Sequence, residues 1–284
     1  MTANSDAFRK LRRNRAALAA LIFILFVIAA AISAPLLENH LFPSPDAQNL
    51  SDKLLAPSFD HPFGTDSLGR DLLSRVFAGA RISIMVGFIA TLITIMIGVT
   101  YGAVSGFSGG NVDNIMMRVV DALYTLPFIF LVILLLGLFD RSFLLLFAAL
   151  GAVQWLTMAR MVRGEILSLK TRDFVAAARA SGASPSRILF RHLLPNTLGV
   201  IIVYATLTVP VIILQEAFLS FLGLTVPGQE HSWGALISEG LDAVNPVKIR
   251  WWLVVFPGAA ISSTLLALNF LGDGLRDAFD PKSR

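Results

Sequence analysis

The 284 residues are 55% hydrophobic and only 15% charged, which leaves too little polar surface to cover a water-soluble domain of this length, so lipid is the implied solvent for most of the chain. Cysteine is absent, which excludes disulfide and thiolate chemistry. The net charge of +4 carries information only through its placement, and no clustered basic face on a soluble domain points to nucleic acid.

A helix needs about 20 apolar residues to cross roughly 30 Å of hydrocarbon. Residues 1–15 form a basic tail with Arg9, Lys10, Arg12, Arg13 and Arg15, and the uncharged run Ala16 to Ala34 predicts a first span over 16–35. A cleaved signal peptide is the competing reading of this start, helped by the small residues near Ile32-Ser33-Ala34. The run exceeds the usual core of a signal, about 7–15 residues, which favours a retained span. Residues 36–80, with Pro43, Pro45, Pro57 and Pro62, predict an extended external segment. Within it Asp66-Ser67-Leu68-Gly69 is placed to cap a helical run from Arg70 to Ala80, which lies along the interface or feeds the next span.

The second span is expected from Ile82 to Phe107. Its Gly98, Gly102 and Gly106, with Gly110 beyond, recur every fourth residue and share one helix face, where a neighbouring backbone can come close. Gly98 and Gly102 are assigned to packing, Gly109 and Gly110 to a loop. Further spans are expected at Ile115 to Leu138, with Arg118 and Asp121 paired at its end, and at Ser142 to Val162, Thr197 to Leu222 and Trp251 to Leu271. Runs this long and continuous suit helices and not alternating barrel strands. The expected fold is all-α, with six transmembrane helices and a five-helix core in 81–284.

Six spans put both termini on one side together with the loop 163–196. Most of the 23 lysines and arginines lie there, so the positive-inside rule predicts that this side is cytoplasmic. The loop holds two helical patterns broken by Gly182-Ala183-Ser184-Pro185. The first, Asp173 to Ser181, places Phe174, Ala177 and Ala178 at helical spacing. The second starts at Pro185, a favoured first helical residue, and runs through Arg187 toward Leu194-Pro195.

Here the sequence resembles the permease subunits of binding-protein-dependent ABC importers. Their shared loop pattern is Glu-Ala-Ala, three residues, Gly, nine residues, then Ile-x-Leu-Pro. This chain has Ala176-Ala177-Ala178, Gly182 and His192-Leu193-Leu194-Pro195 at that spacing, with Ala176 in place of the Glu and His192 in place of the Ile. Gly64-Thr65-Asp66 with Gly69-Arg70-Asp71, the run Met158 to Gly164, Ser220 to Leu224, Ser232-Trp233-Gly234, and Gly272 to Asp277 with Asp280-Pro281 are similar to the dipeptide, oligopeptide and nickel group. Within that group the likeness is to the C-type subunit of oligopeptide importers.

The resemblance implies a type I importer permease fold in the bacterial cytoplasmic (inner) membrane. It also implies a second homologous permease subunit, two ATP-binding subunits that hold ATP and Mg, an external solute-binding protein, and oligopeptides or dipeptides as cargo, with nickel or another small solute as the alternative. It makes the cytoplasmic loop the joint with the ATPases, carried by Asp173, Phe174, Ala177, Ala178, Arg179, Gly182, Ala183, Pro185 and Arg187. No G-x-x-x-x-G-K-[ST] or H-E-x-x-H motif occurs, and the histidines at 40, 61, 192 and 231 are scattered, so the chain is expected to hold no nucleotide, metal or cofactor and to be no enzyme.

An ionisable group in mid-membrane costs about 2.5–3.5 kcal/mol on insertion scales, so Gln154, Gln215 and Glu216 are the candidates for a substrate pathway. Two readings stay open for Glu216, a pathway residue or one solvated at the outer end of its span, and two for Gln154, a pathway residue or a bond to a neighbouring helix. An ion-coupled secondary transporter is the rival class; it would show internal repeats and several ionisable groups at mid-membrane, and only Glu216 answers that description.

Overall fold

Backbone groups in hydrocarbon find no water to bond, so they must pair within their own segment. In the computed structural model, which describes residues 14–37, 42–243 and 248–279, the regular structure is accordingly helical and strand pairing is confined to isolated bridges such as Thr65 with Asp71. The basic residues Arg9, Lys10, Arg12 and Arg13, His40, and the terminal Asp280-Pro281, Lys282 and Arg284 lie outside the described residues.

The helices in chain order are α1 (Arg15–Leu37), α2 (Leu72–Ser108), α3 (Gly110–Tyr124), α4 (Phe128–Leu138), α5 (Phe143–Leu169), α6 (Asp173–Ala180), α7 (Pro185–Phe221), α8 (Trp233–Asp242) and α9 (Trp252–Phe279). Of these, α1, α2, α5, α7 and α9 are long and apolar enough to cross a membrane. The third span expected over 115–138 is interrupted. The chain breaks between α3 and α4 with a bend of 80°, because Pro127 lacks the N–H a continuing helix needs and disfavours helical backbone in the residue before it. The pair makes one broken crossing or a re-entrant loop.

The run from Arg70 to Ala80 takes the second of its two readings and feeds the next span. The helix expected at 70–80 and the span expected at 82–107 are one helix of 37 residues, about 55 Å long, so the boundary drawn at residue 80 falls inside α2. Its cap is Asp71, whose carboxylate accepts the Ser74 amide at 2.8 Å, and not Asp66. Asp66 is occupied within its own turn, where it accepts the Leu68 and Arg70 amides at 2.8 and 2.9 Å. The connection between α7 and α9 also contains a helix, α8, that no apolar run announced.

The tightest packing is between α2 and α5. A Cβ on Gly98 would lie 2.6 Å from Met158 Cβ, one on Gly102 would lie 2.3 Å from the Ala159 carbonyl oxygen, and one on Gly106 would lie 2.9 Å from that of Arg163. The expected face is therefore in place, and Gly106 belongs to it. Gly109 ends α2, with its amide bonded to the Ser105 carbonyl at 3.1 Å. Helix α7 lies against α2, α5 and α9, and α1 covers α9 and α2.

Past Gly109 the chain turns back, and α3 is held to α5 by a two-pronged pair: Arg163 Nε and Nη2 donate to the buried Asp113 at 2.5 and 2.6 Å. Lys170 Nζ donates to the Phe107 carbonyl at 2.5 Å, a cation on the open carbonyls at the end of α2. Asp121 pairs with Arg160 at 2.8 Å and not with Arg118, since Arg160 reaches across from α5 with its guanidinium 4.4 Å above the Tyr124 ring.

A side chain on the α2 glycine face has no room, because backbone, which cannot rotate aside, stands opposite it. Gly102→Val is expected to lower stability by about 1–3 kcal/mol through overpacking, read as earlier thermal unfolding in detergent. Gly164→Ala, where a Cβ meets no atom within 4 Å, is the control expected not to lose stability.

Candidate functional site

The candidate joint is a helix, a sharp turn and a second helix at the α6 end of the bundle. Asp173 puts a carboxylate in the first turn of α6 and Arg179 a cation in its last, each at the favourable end of the helix dipole. The turn closes with the Ser181 amide on the Ala177 carbonyl, that of Gly182 on Arg179 and that of Ala183 on Ala178, each at 3.0 Å. The last is the long bond of a Schellman cap, and it needs the residue before Ala183 in the left-handed region. Gly182 has φ 76, and a Cβ there would meet no atom within 4 Å. Its requirement is conformational and not steric. Ser184 then caps the next helix by accepting the Arg187 amide at 3.4 Å, with Pro185 in its first turn.

What fastens the joint is a residue the sequence reading passed over. Val175 is fully buried, in one apolar cluster with Val162 and Ile166 of α5 and Ile188, Leu189 and Leu193 of α7. Burial of a Val side chain contributes about 1.5–3 kcal/mol. Ala178 and Ala183 are half-buried against that cluster, whereas Asp173, Phe174, Ala177, Arg179, Gly182, Pro185 and Arg187 face outward. Anchor and outer face thus alternate within one short helix, and Phe174 keeps 39% of its surface open.

Between Ile188 and Leu193 the helix widens into π turns before it continues from Leu194. Pro195 accounts for this: it can donate no bond to the carbonyl of residue 191, and its ring would clash there in a regular helix. Asn196 Nδ2 donates to the His192 carbonyl at 2.6 Å in the same turn. The Leu-Pro of the loop pattern therefore marks the junction of the joint with the span.

The polar candidates in the spans separate into two kinds. Gln154 Nε2 donates to Gln215 Oε1 at 3.1 Å, a bond between α5 and α7 whose members are both partly exposed. Glu216 is fully buried, so the solvated reading for it fails. Ser220 Oγ donates to its carboxylate at 3.0 Å and Ser83 Oγ at 3.4 Å, and Gln229 Nε2 donates as well. Among the described residues no basic side chain pairs with it.

At the opposite end lies an ion network that only the fold assembles. Arg70 bonds Asp66 at 2.6 Å and Glu239 at 2.5 Å, and Arg75 bonds the same two carboxylates at 2.5 and 2.7 Å. Two cations and two anions alternate in a ring that ties the segment before α2, and α2 itself, to α8. Burial opposes charge on Asp66, but the Arg70 and Leu68 amides and the cations of Arg75 and Arg70 outweigh it and hold its pKa below the usual 3.8. Trp233 of α8 adds an indole N–H bond to the Val76 carbonyl at 2.9 Å. Asp71 accepts from His61 at 2.9 Å besides capping α2. Among the described residues no group of three or more His, Asp or Glu stands close enough to hold a metal ion.

Two family descriptions match the chain: residues 98–284 match the binding-protein-dependent transport system inner membrane component, and residues 3–57 match the N-terminal transmembrane domain of oligopeptide transport permease C. The chain is 46% identical to the dipeptide transport system permease protein DppC of Bacillus subtilis, over 98% of its own length and 86% of that protein. It is 48% identical to the oligopeptide transport system permease protein OppC of Escherichia coli, over 98% of its own length and 91% of that protein. Against OppC of Salmonella typhimurium the identity is 49%, with 98% and 91% covered.

Beside the ion ring, His231 is expected to make stability sensitive to acid. His231 bridges Asp46 at 3.0 Å and Arg75 at 3.4 Å; burial, and then the charge of Arg75, push its pKa below 6.5 against the pull of Asp46. A lowered folded value means that the folded state resists the proton. The stability contribution is therefore full above pH about 6.5 and is lost as pH falls through the folded value. Thermal unfolding should come earlier at pH 5 than at pH 7.5, with the difference reduced in His231→Gln. Arg75→Ala, which strips one partner from the buried Asp66 carboxylate, should cost about 3 kcal/mol at either pH.

Proposed function

This chain belongs to the family of binding-protein-dependent transport system inner membrane components, and we propose that it is one of two permease subunits of an ATP-driven importer of oligopeptides or dipeptides. The observation that carries the reading is the bent segment α6 to α7, anchored inward through Val175 and open outward through Phe174, Ala177 and Arg179. Such an element transmits force: its inner face moves with α5 and α7, and its small outer side chains let another protein's surface come close. The gripping partner is an ATP-binding subunit that supplies both ATP and its Mg ion, one of two in the complex.

On this reading both termini and α6 lie in the cytoplasm, and α8 and residues 42–71 face outward, where an external solute-binding protein delivers the peptide. The placement of basic residues supports that orientation. Closure of the two ATPases pushes α6, and α7 carries the displacement through its π turns into the span that holds Gln215. Gln154 and Gln215 would line the path, since two carboxamides can exchange their mutual bond for bonds to a peptide backbone whatever its side chains. Glu216, bonded on several sides within the subunit, holds α7 to α2 and to the segment before α8, and it reaches the path only if that packing opens.

The joint is tested at Gly182. In the left-handed region an L side chain costs about 1–2 kcal/mol, and Asn is better tolerated than a branched residue. Gly182→Val should lower peptide uptake and transport-coupled ATPase activity of the assembled importer about tenfold, with Gly182→Asn close to wild type. Wild-type activity in Gly182→Val and in Gly182→Arg together would place the joint elsewhere. Co-purification of a second permease and ATPases separates an importer from an ion-coupled carrier, and the ligand of the companion binding protein separates peptides from nickel chelates or other small solutes.

A further inference from the structure

A cavity of about 670 Å³ opens between the later turns of α1 and the start of α2. Phe26, Ala30, Phe77, Met85 and Phe143 give it apolar walls, and the small side chains of Ala29, Ala30 and Ala78 create the room. Neither Gln154 nor Gln215 reaches it, so it is separate from the proposed path. One charge stands among its lining residues. Arg81 is exposed, and among the described residues it forms no ion pair, while its neighbour Arg75 is consumed by Asp66 and Glu239 and His231 is turned to Asp46.

The depth of Arg81 fixes what it can meet. It is the last charged residue before an uncharged run that continues to Phe107, and that run is enough to fill the hydrocarbon. Arg81 therefore sits at headgroup level, in the leaflet away from α6, while the apolar walls extend along α1 toward the hydrocarbon. A ligand that fits has a long apolar body and an anionic end at the interface. We propose that this cavity binds an anionic phospholipid, one acyl chain lying between α1 and α2 and the phosphate resting on Arg81. A helix of another subunit would fill the apolar part but would leave the arginine without a counter-charge. The bound lipid would complete the seam between α1 and the rest of the bundle, where the chain's own side chains leave a gap.

The test uses the assembled importer in nanodiscs that hold phosphatidylglycerol and phosphatidylcholine of the same acyl chains in equal amounts. After release into detergent, native mass spectrometry should find phosphatidylglycerol retained over phosphatidylcholine by about fivefold, the contribution of one basic residue near an anionic headgroup. Arg81→Gln should abolish the preference with some lipid of either kind still held, and Ala30→Trp, which fills the cavity, should remove both. A photoreactive acyl chain should label residues 26–34 and 77–85 above the other spans. Equal retention of the two lipids by the wild type, or an unchanged preference in Arg81→Gln, overturns the site. Since the chain has no cysteine, a single Ala30→Cys gives the remaining check: cross-linking to a second permease in place of lipid assigns the cavity to a subunit contact and rejects the proposal.

Discussion

The contact on which the rest depends is the near approach of two backbones, α2 and α5, across Gly98, Gly102 and Gly106. Lipid gives helices no hydrophobic reason to associate, so close dispersion contact and interhelical polar bonds must hold them. With a side chain at Gly102, the Ala159 carbonyl would have to move away, and α2 and α5 would separate. Because they cannot, α2 and α5 act as one unit with a different polar clamp at each end.

At one end that unit carries the Asp113–Arg163 pair and the Lys170 cap, and beyond them the seat for α6. Val162 and Ile166 of α5 form that seat, and Val175 is what drops into it. At the other end the first turns of α2 project past the hydrocarbon and enter the ring of Asp66, Arg70, Arg75 and Glu239. The helix pair is therefore one stiff route between α6 and this ring, with no flexible loop in it. Helix α7 offers the second route, and its π turns at 188–193 mark where that route can bend.

The buried charges fit this division. Those at Asp113 and in the Asp66–Glu239 ring are each matched by arginines, whose planar forks suit carboxylates, and they fix geometry more than they add stability. Glu216 is different, held by hydroxyl and carboxamide groups alone among the described residues. Together with Gln229 and Ser83 it stitches α7 to the segment before α8 and to α2.

Much of the architecture follows from local chemistry and was legible in order along the chain. Apolar length set the spans, the four-residue glycine interval gave the α2 face, Gly182 with Pro185 set the bend of the joint, and the loop pattern gave the family. Pro127 was a readable break too, although the apolar run across it suggested a single span. Other features lay beyond any local pattern because they join residues distant in sequence: Arg70 and Arg75 meet Glu239 near the other end of the chain, Asp121 takes Arg160 in preference to Arg118, and Glu216 is closed over by Ser83 and Gln229. Hydropathy tells a segment whether to enter the membrane, but which carboxylate meets which cation depends on how the helices rotate about their axes. Close packing settles that rotation, and it exists only once the helices are assembled.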